Sequence, residues 1–393
     1  MDIQKDINAG DYLHTGVILK CKRIRKMFDK REVTGYNSTD RPTDRPTDRP
    51  TDRPTDRIEY LDVLRVIASI SVVMIHVAQT IWYTADINTS LWKWSNVYEA
   101  FSKWAVPVFV MISGAGILNS AKSFEEILNK NVRKILKVFF LWAMLYFAES
   151  YLLGKPMADC VLSVIYGPLW YLLMTVGLYL IVPFCRLIVK CRKLTDYFLL
   201  LGIIFTCILP TGKYAAMLLS EKLYKGLSML EEDFGFFMCV GFSVYFILGY
   251  GIAAWWKDEK NKTRLVYVLG AIGFVVNPLL GEIATVLSGK VFASFYDNFN
   301  IFVFIEAVAV FLLLMNYHKL LVKSGFAKLS KYTLTIYLIH KIVIDLFGLS
   351  GVNWYSFGSV LSVPVYTVAV WASSLLFAVS LDNMQKLLAR KTK

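Results

Sequence analysis

The sequence predicts an all-α, polytopic membrane helix bundle of about ten transmembrane helices, with both termini on the cytoplasmic side. Three observations predict it. The 393 residues are 56% hydrophobic and 19% charged, with a mean hydropathy of +0.49; soluble domains are about 45–50% apolar and about 25% charged. The apolar residues form long runs that recur from Ile67 to Val379. Lys and Arg concentrate in alternate connections between those runs, as they do in cytoplasmic loops.

In lipid each run must satisfy its own backbone polar groups, so each reads as a helix. Ten runs approach the roughly 20 apolar residues that cross the hydrocarbon core: 61–83, 97–118, 133–153, 167–188, 197–215, 234–256, 265–288, 299–316, 332–349 and 358–380. The fifth, eighth and ninth are short. With the N-terminus inside, the even connections (119–137, 186–196, 257–264, 317–331) and the C-terminus carry 21 Lys/Arg. The odd connections (84–96, 154–166, 213–233, 289–298, 350–357) carry six. One missed span would scramble that alternation, so the count and the N-in/C-in topology support each other.

Three regions follow: a leader over 1–57, a membrane domain over 58–385 and a basic cytoplasmic tail over 386–393. The leader is polar, with Lys20, Lys22, Arg23, Arg25 and Lys26 clustered. Its apolar patch Gly16–Leu19 is too short for the core of a signal peptide. Four copies of Thr-Asp-Arg-Pro and a fifth without its proline fill 39–57. Proline at every fourth position blocks a helix and recurring charge prevents a core, so disorder is expected. The tetranucleotide ACCG read through three units encodes this peptide; a phase-variable gene and an ordinary polar linker both fit. The net charge of +13 lies mainly in the leader and the cytoplasmic connections, next to membrane lipids, and no nucleic-acid partner is expected. The six cysteines show no CxxC spacing, so neither a disulfide framework nor a metal site is expected.

Polar side chains within spans are costly and mark function by default. In the first span, at about 100° per residue, Asp62, Ser69, His76, Gln79 and Tyr83 all fall within roughly 60° of Arg65. Arg65 and His76 share this stripe about 16 Å apart, the histidine toward mid-membrane. A structural polar seam between helices would give the same stripe. In the ninth span Thr333, Tyr337 and His340 recur at i, i+4 and i+7, and a histidine there can carry a proton or bind a hydroxyl. It can equally be a hydrogen-bonded packing residue. Ser113-Gly114 ends the second span and lets backbones or a ligand approach closely. Trp170 opens the fourth span as an interfacial aromatic anchor. Glu149, Glu282 and Glu306 also fall within spans and rank equally as relays or ion-pair partners. The basic stretch 130–137, with Arg133, Lys134 and Lys137, is either the cytoplasmic charge signal itself or a phosphate site for an anionic cofactor.

These residues together resemble the membrane-bound acyltransferase family 3, whose members O-acetylate surface polysaccharides and related glycans. The stretches that carry the resemblance are Tyr60-Leu61-Asp62-Val63-Leu64-Arg65 running on to His76, Val106-Pro107-Val108-Phe109 with Ser113-Gly114, the basic stretch 130–137, Leu169-Trp170-Tyr171 with Tyr179 and Pro183, and Tyr337-Leu338-Ile339-His340. They occur in family order over about 58–385, and ten spans is the family architecture. The pattern is most similar to short, stand-alone members such as the enterobacterial common antigen O-acetyltransferase. One departure stands out: where the family carries arginines, Asn131 and Lys134 align, with Arg133 as a substitute by a register shift.

The resemblance implies an enzyme of the bacterial cytoplasmic (inner) membrane that moves an acetyl group from cytosolic acetyl-CoA to a hydroxyl of a lipid-linked or surface glycan, without a metal. It implies His76 and Arg65 as catalytic residues, with His76 the base. Arg133, Lys134, Lys137 and Ser113 would meet the acyl-CoA. His340, Tyr337 and Trp170 would serve the acceptor or the oxyanion. A secondary transporter or polysaccharide flippase is the competing class, since ten spans with intramembrane carboxylates suit one. Transporters usually repeat across their halves, and the Arg-ten-His helix has no copy in 200–393.

Overall fold

The structure is a computed structural model; it describes residues 58–234, 240–256, 260–352 and 354–391. The leader 1–57 with its Thr-Asp-Arg-Pro repeat, and the last two residues of the tail, lie outside the described residues. Among these, α1 (Glu59–Trp82), α2 (Ser90–Ser102), α3 (Ala105–Ile117), α4 (Phe124–Leu152), α5 (Met157–Tyr166), α6 (Trp170–Leu180), α7 (Val182–Val189), α8 (Arg192–Leu219), α9 (Glu221–Phe234), α10 (Phe242–Trp255), α11 (Lys260–Ser288), α12 (Ile301–Tyr317), α13 (Thr333–Leu349) and α14 (Gly358–Lys391) follow in order. The protein is a polytopic helical membrane bundle.

Each of the ten expected runs is helical over most of its described residues, but the described helices are not ten straight spans. Among the described residues eight helices are long and apolar enough to cross a membrane. The fourth run is broken: α6 and α7 meet at 58°. Pro183 lies in the first turn of α7 and supplies no N–H to continue the ladder from α6, which is enough to bend it. Within the sixth run the described helix is α10, 14 residues long, shorter than the roughly 20 residues of a full crossing. Several expected connections are also helical: α5 fills most of 154–166, and α2 begins within 84–96. The basic stretch belongs to α4, which starts at Phe124 because Ser123 and Glu126 form a reciprocal cap at 3.0 and 3.1 Å. The segment 213–233 contains α9, with Leu223, Leu227 and Leu230 at helical spacing.

Burial divides the helices into two shells. About two thirds of the apolar window of α1 is buried (67%), against 17% in α4 and 28% in α11. The outer helices expose side chains such as Phe140, Met144, Val275 and Val368, as lipid-facing helices must. Helix α1 is the spine of the inner shell. Leu64, Ala68 and Val72 pack with Val108 and Met111 of α3, Phe246 of α10 and Phe311 of α12. Val73, Val77 and Ile81 pack on another side with Ile336 and Val343 of α13 and Val370 of α14. Tyr337 touches both cores.

Buried polar side chains fasten the inner helices. Arg186 of α7 donates to the carbonyls of Ile117, Ser120 and Lys122 at 2.8–3.1 Å and so closes the end of α3. Asn96 of α2, fully buried, accepts from Trp82 Nε1 (3.1 Å) and the Tyr296 hydroxyl (2.6 Å) and donates to the Pro278 carbonyl (3.1 Å). Asn96→Ala strands two buried donors and an acceptor, each worth roughly 1–3 kcal/mol when left unpaired. A lower unfolding midpoint in lipid nanodiscs is the expected result, and an unchanged midpoint would contradict this role.

Candidate active site

The polar stripe of α1 needs one unbroken helix, and α1 is regular from Glu59 to Trp82. Its members nevertheless differ in what they do. Asp62 is buried and pairs with Arg65 at 2.7 Å, while the Arg65 side chain keeps 37% of its surface. Ser69 is committed to packing: its hydroxyl donates to the Val66 carbonyl (2.7 Å) and accepts from Trp371 Nε1 (3.1 Å) on α14. His76 is enclosed by the bundle yet partly accessible.

The structure sets His76 against His340 of α13, with ring centroids 5.0 Å apart and planes 37° apart. His340 is fully buried. Its Nδ1 lies 2.6 Å from the Tyr337 carbonyl, an oxygen that can only accept, so the proton resides on Nδ1. Nε2 then presents a lone pair, buried and without a protein partner. A neutral His340 so held has no proton to give an oxyanion; it suits a hydroxyl that donates to it. The Tyr337 hydroxyl is also buried and unpartnered, and it can donate. Two such groups beside one accessible imidazole are what a site shaped for a polar ligand leaves behind.

A column of hydroxyls and rings runs between this pair and Arg65. Tyr337 packs on Tyr171 of α6 at 5.7 Å between centroids, and Tyr171 on Phe109 of α3 at 6.1 Å. The Ser113 hydroxyl donates to the Phe109 carbonyl (3.0 Å) and lies within hydrogen-bonding reach of Tyr171 and Tyr179. Tyr171 and Tyr179 pack against the same apolar core as Leu64 and Ala68, the neighbours of Arg65 on α1. Arg65, Ser113, Tyr171, Tyr179, Tyr337, His340 and His76 thus share one interior region, drawn from four helices. Trp170 stands at its rim, 36% exposed, between Tyr171 (6.3 Å) and Phe242 (5.8 Å).

The other expected residues stand elsewhere. Arg133, Lys134 and Lys137 lie exposed on α4, and no hydrogen bond or ion pair among the described residues links them to the column. Their tie to it is through α4 itself: the π-helical turn Ile127–Val132 and the helical segment Arg133–Leu152 both pack on α6, the helix that carries Tyr171 and Tyr179. Glu282 is a rim residue paired with Lys93 at 3.1 Å. Glu149 lies half-buried near the Lys341–Asp345 ion pair. Glu306 is fully buried beside Asn277. None of the three acids belongs to the column.

Sequence reasoning missed Glu99 and Lys103. They form an ion pair at 2.6 Å with Glu99 fully buried, and the same Glu99 oxygen accepts from Gln79 Nε2 at 3.0 Å. Gln79 follows His76 by three residues on α1 and lies on the same face. An acid and a base four residues apart inside an otherwise apolar run were the available signal.

No curated protein and no solved structure matches the chain. A family model described as an acyltransferase domain, Acyl_transf_3, matches residues 58–381. That match covers every helix that contributes to the column, from Arg65 on α1 to His340 on α13: the chain belongs to the acyltransferase 3 family.

Proposed function

We propose that the protein is an O-acetyltransferase of the bacterial cytoplasmic membrane, carrying acetyl groups from cytosolic acetyl-CoA to a hydroxyl of a lipid-linked or surface glycan; its membership of the acyltransferase 3 family supports the reading. The observation that carries this reading is the His76–His340 pair, 5.0 Å apart inside the bundle with His76 accessible. A glycan hydroxyl is a weak nucleophile and needs a base as it attacks. His340 Nε2 accepts a hydrogen bond from a neighbouring hydroxyl of the glycan and so orients it, leaving the attacking hydroxyl's one proton for His76. His76 takes the hydroxyl proton as the oxygen bonds to the thioester carbonyl carbon. The Tyr337 hydroxyl donates to the charge that develops on the carbonyl oxygen. The C–S bond then breaks, and the departing thiolate takes the proton back from His76. An ester and a free thiol result, with no net proton released.

Arg65 holds a polar part of the cofactor below this point, and Arg133, Lys134 and Lys137 meet its phosphates at the cytoplasmic surface. The test supplies membranes with acetyl-CoA labelled in the acetyl group. Transfer of label to lipid-linked or surface glycan is expected; uptake of label without modification of any glycan would favour a transporter. Arg65→Ala should raise KM for acetyl-CoA about tenfold or more, the loss of one charge-assisted contact. Unchanged kinetics with reduced assembly would make Arg65 structural.

A further inference from the structure

We infer that Glu99, held by Lys103, is a positioning residue that acts through Gln79 to fix which nitrogen of His76 carries the proton. The inference rests on the assignment of His76 as base and adds the device that keeps it in one tautomer. Gln79 follows His76 by three residues on α1 and shares its face. Its amide stands one turn from the His76 ring on that face and donates to the Glu99 carboxylate of α2.

Chemistry decides which way that amide points. An ionised carboxylate only accepts, so the Gln79 NH2 group must face Glu99, as it does at 3.0 Å. The Gln79 carbonyl oxygen is then the atom left for His76. A carbonyl only accepts, so the ring nitrogen on that side must carry the proton. The other ring nitrogen keeps its lone pair for the acceptor hydroxyl. Lys103 completes the chain. Its ammonium lies 2.6 Å from the same Glu99 oxygen, so that one oxygen accepts from both Lys103 and Gln79 and its role as acceptor toward Gln79 is fixed by geometry. Burying such a pair is costly in an apolar bundle, and packing alone gives no reason for Gln79, on a second helix, to share its oxygen.

Glu99→Gln is nearly isosteric but can donate as well as accept. Gln79 can then turn over, and His76 can hold its proton on either nitrogen. Gln79→Ala removes the contact with His76 and leaves the Glu99–Lys103 pair whole, so it separates positioning from folding. Both variants, the parent chain and His76→Ala are compared in lipid bilayers by transfer from labelled acetyl-CoA. The same preparations, labelled with 15N-histidine, are read by solid-state NMR, with the His76 signals assigned by their loss in His76→Ala. The inference expects kcat to fall about 10- to 100-fold in both variants, the usual loss when an orienting partner is removed, with KM for acetyl-CoA unchanged. It expects a single His76 tautomer in the parent chain and a mixture in Glu99→Gln. An unchanged tautomer in both variants, whatever happens to the rate, overturns the relay while an inactive His76→Ala leaves the base in place. Activity retained in His76→Ala removes base and relay together.

Discussion

Acetyl transfer by His76→Ala is expected to fall by about 10²–10⁴-fold, the usual contribution of a positioned base, while the protein inserts and folds as before. The structure supports both halves of this expectation. His76 is the accessible member of the ring pair, whereas His340 is fully buried and bound to the Tyr337 carbonyl. Removing the accessible ring leaves the two apolar cores beside α1 intact, because Val73, Val77 and Ile81 on one side and Leu64, Ala68 and Val72 on the other are untouched. The rate is read as label transferred from acetyl-CoA, and folding as a symmetrical size-exclusion peak with a parental unfolding midpoint. A variant that folds and retains the parental rate would remove His76 from the chemistry.

The second large effect concerns assembly. Gly114→Ala should prevent α3 and α10 from docking. A Cβ at Gly114 would lie 1.8 Å from the Phe246 carbonyl oxygen, and one at Gly249 would lie 2.1 Å from that of Met111. The obstacle at both sites is backbone, which cannot swing aside as a side chain would. Overpacking costs about 1–3 kcal/mol where a core can relax, and this pair is expected at or beyond the upper end. The control is on the same helix: a Cβ at Gly116 meets nothing within 4 Å. Gly116→Ala should therefore leave the midpoint unchanged or raise it slightly. Equal stability of the Gly114 and Gly116 variants would mean that α3 and α10 do not approach as described.

Much of this site is legible in the chain because helical periodicity is a local property. The stripe from Arg65 to Gln79 follows from spacing alone, and so does the face that joins Tyr337 to His340. Their meeting is not local. His76 and His340 are far apart in sequence, and periodicity within one helix says nothing about which helix faces it. Ser113-Gly114 shows the same limit from another side. The pair permits either a ligand or a backbone to come close; at Gly114 it is the backbone of α10 that fills the space. Glu99 and Lys103 escape notice because they fall near the expected edge of a span, where charges are ordinary. The actual helix starts earlier, at Ser90, which carries them inward. The helix α9 is hidden for the opposite reason, since Glu221, Lys222 and Lys225 among its leucines give the composition of a connection. The bend between α6 and α7 was open to anyone who took Pro183 as a break, but hydropathy averages over it.

The place of α1 as a two-sided spine also sets an order of events during synthesis. Arg65, Asp62 and His76 leave the ribosome early, while His340 follows roughly 260 residues later, on the order of tens of seconds at ordinary elongation rates. For that interval the opening helix carries an ion pair, Asp62–Arg65, without the helices that later enclose it, and a histidine without the ring it faces in the finished bundle. It must be sheltered at the insertion machinery or by passing contacts with lipid headgroups and water. Chains that stall before α13 would expose that unfinished surface, which marks them for quality-control proteolysis.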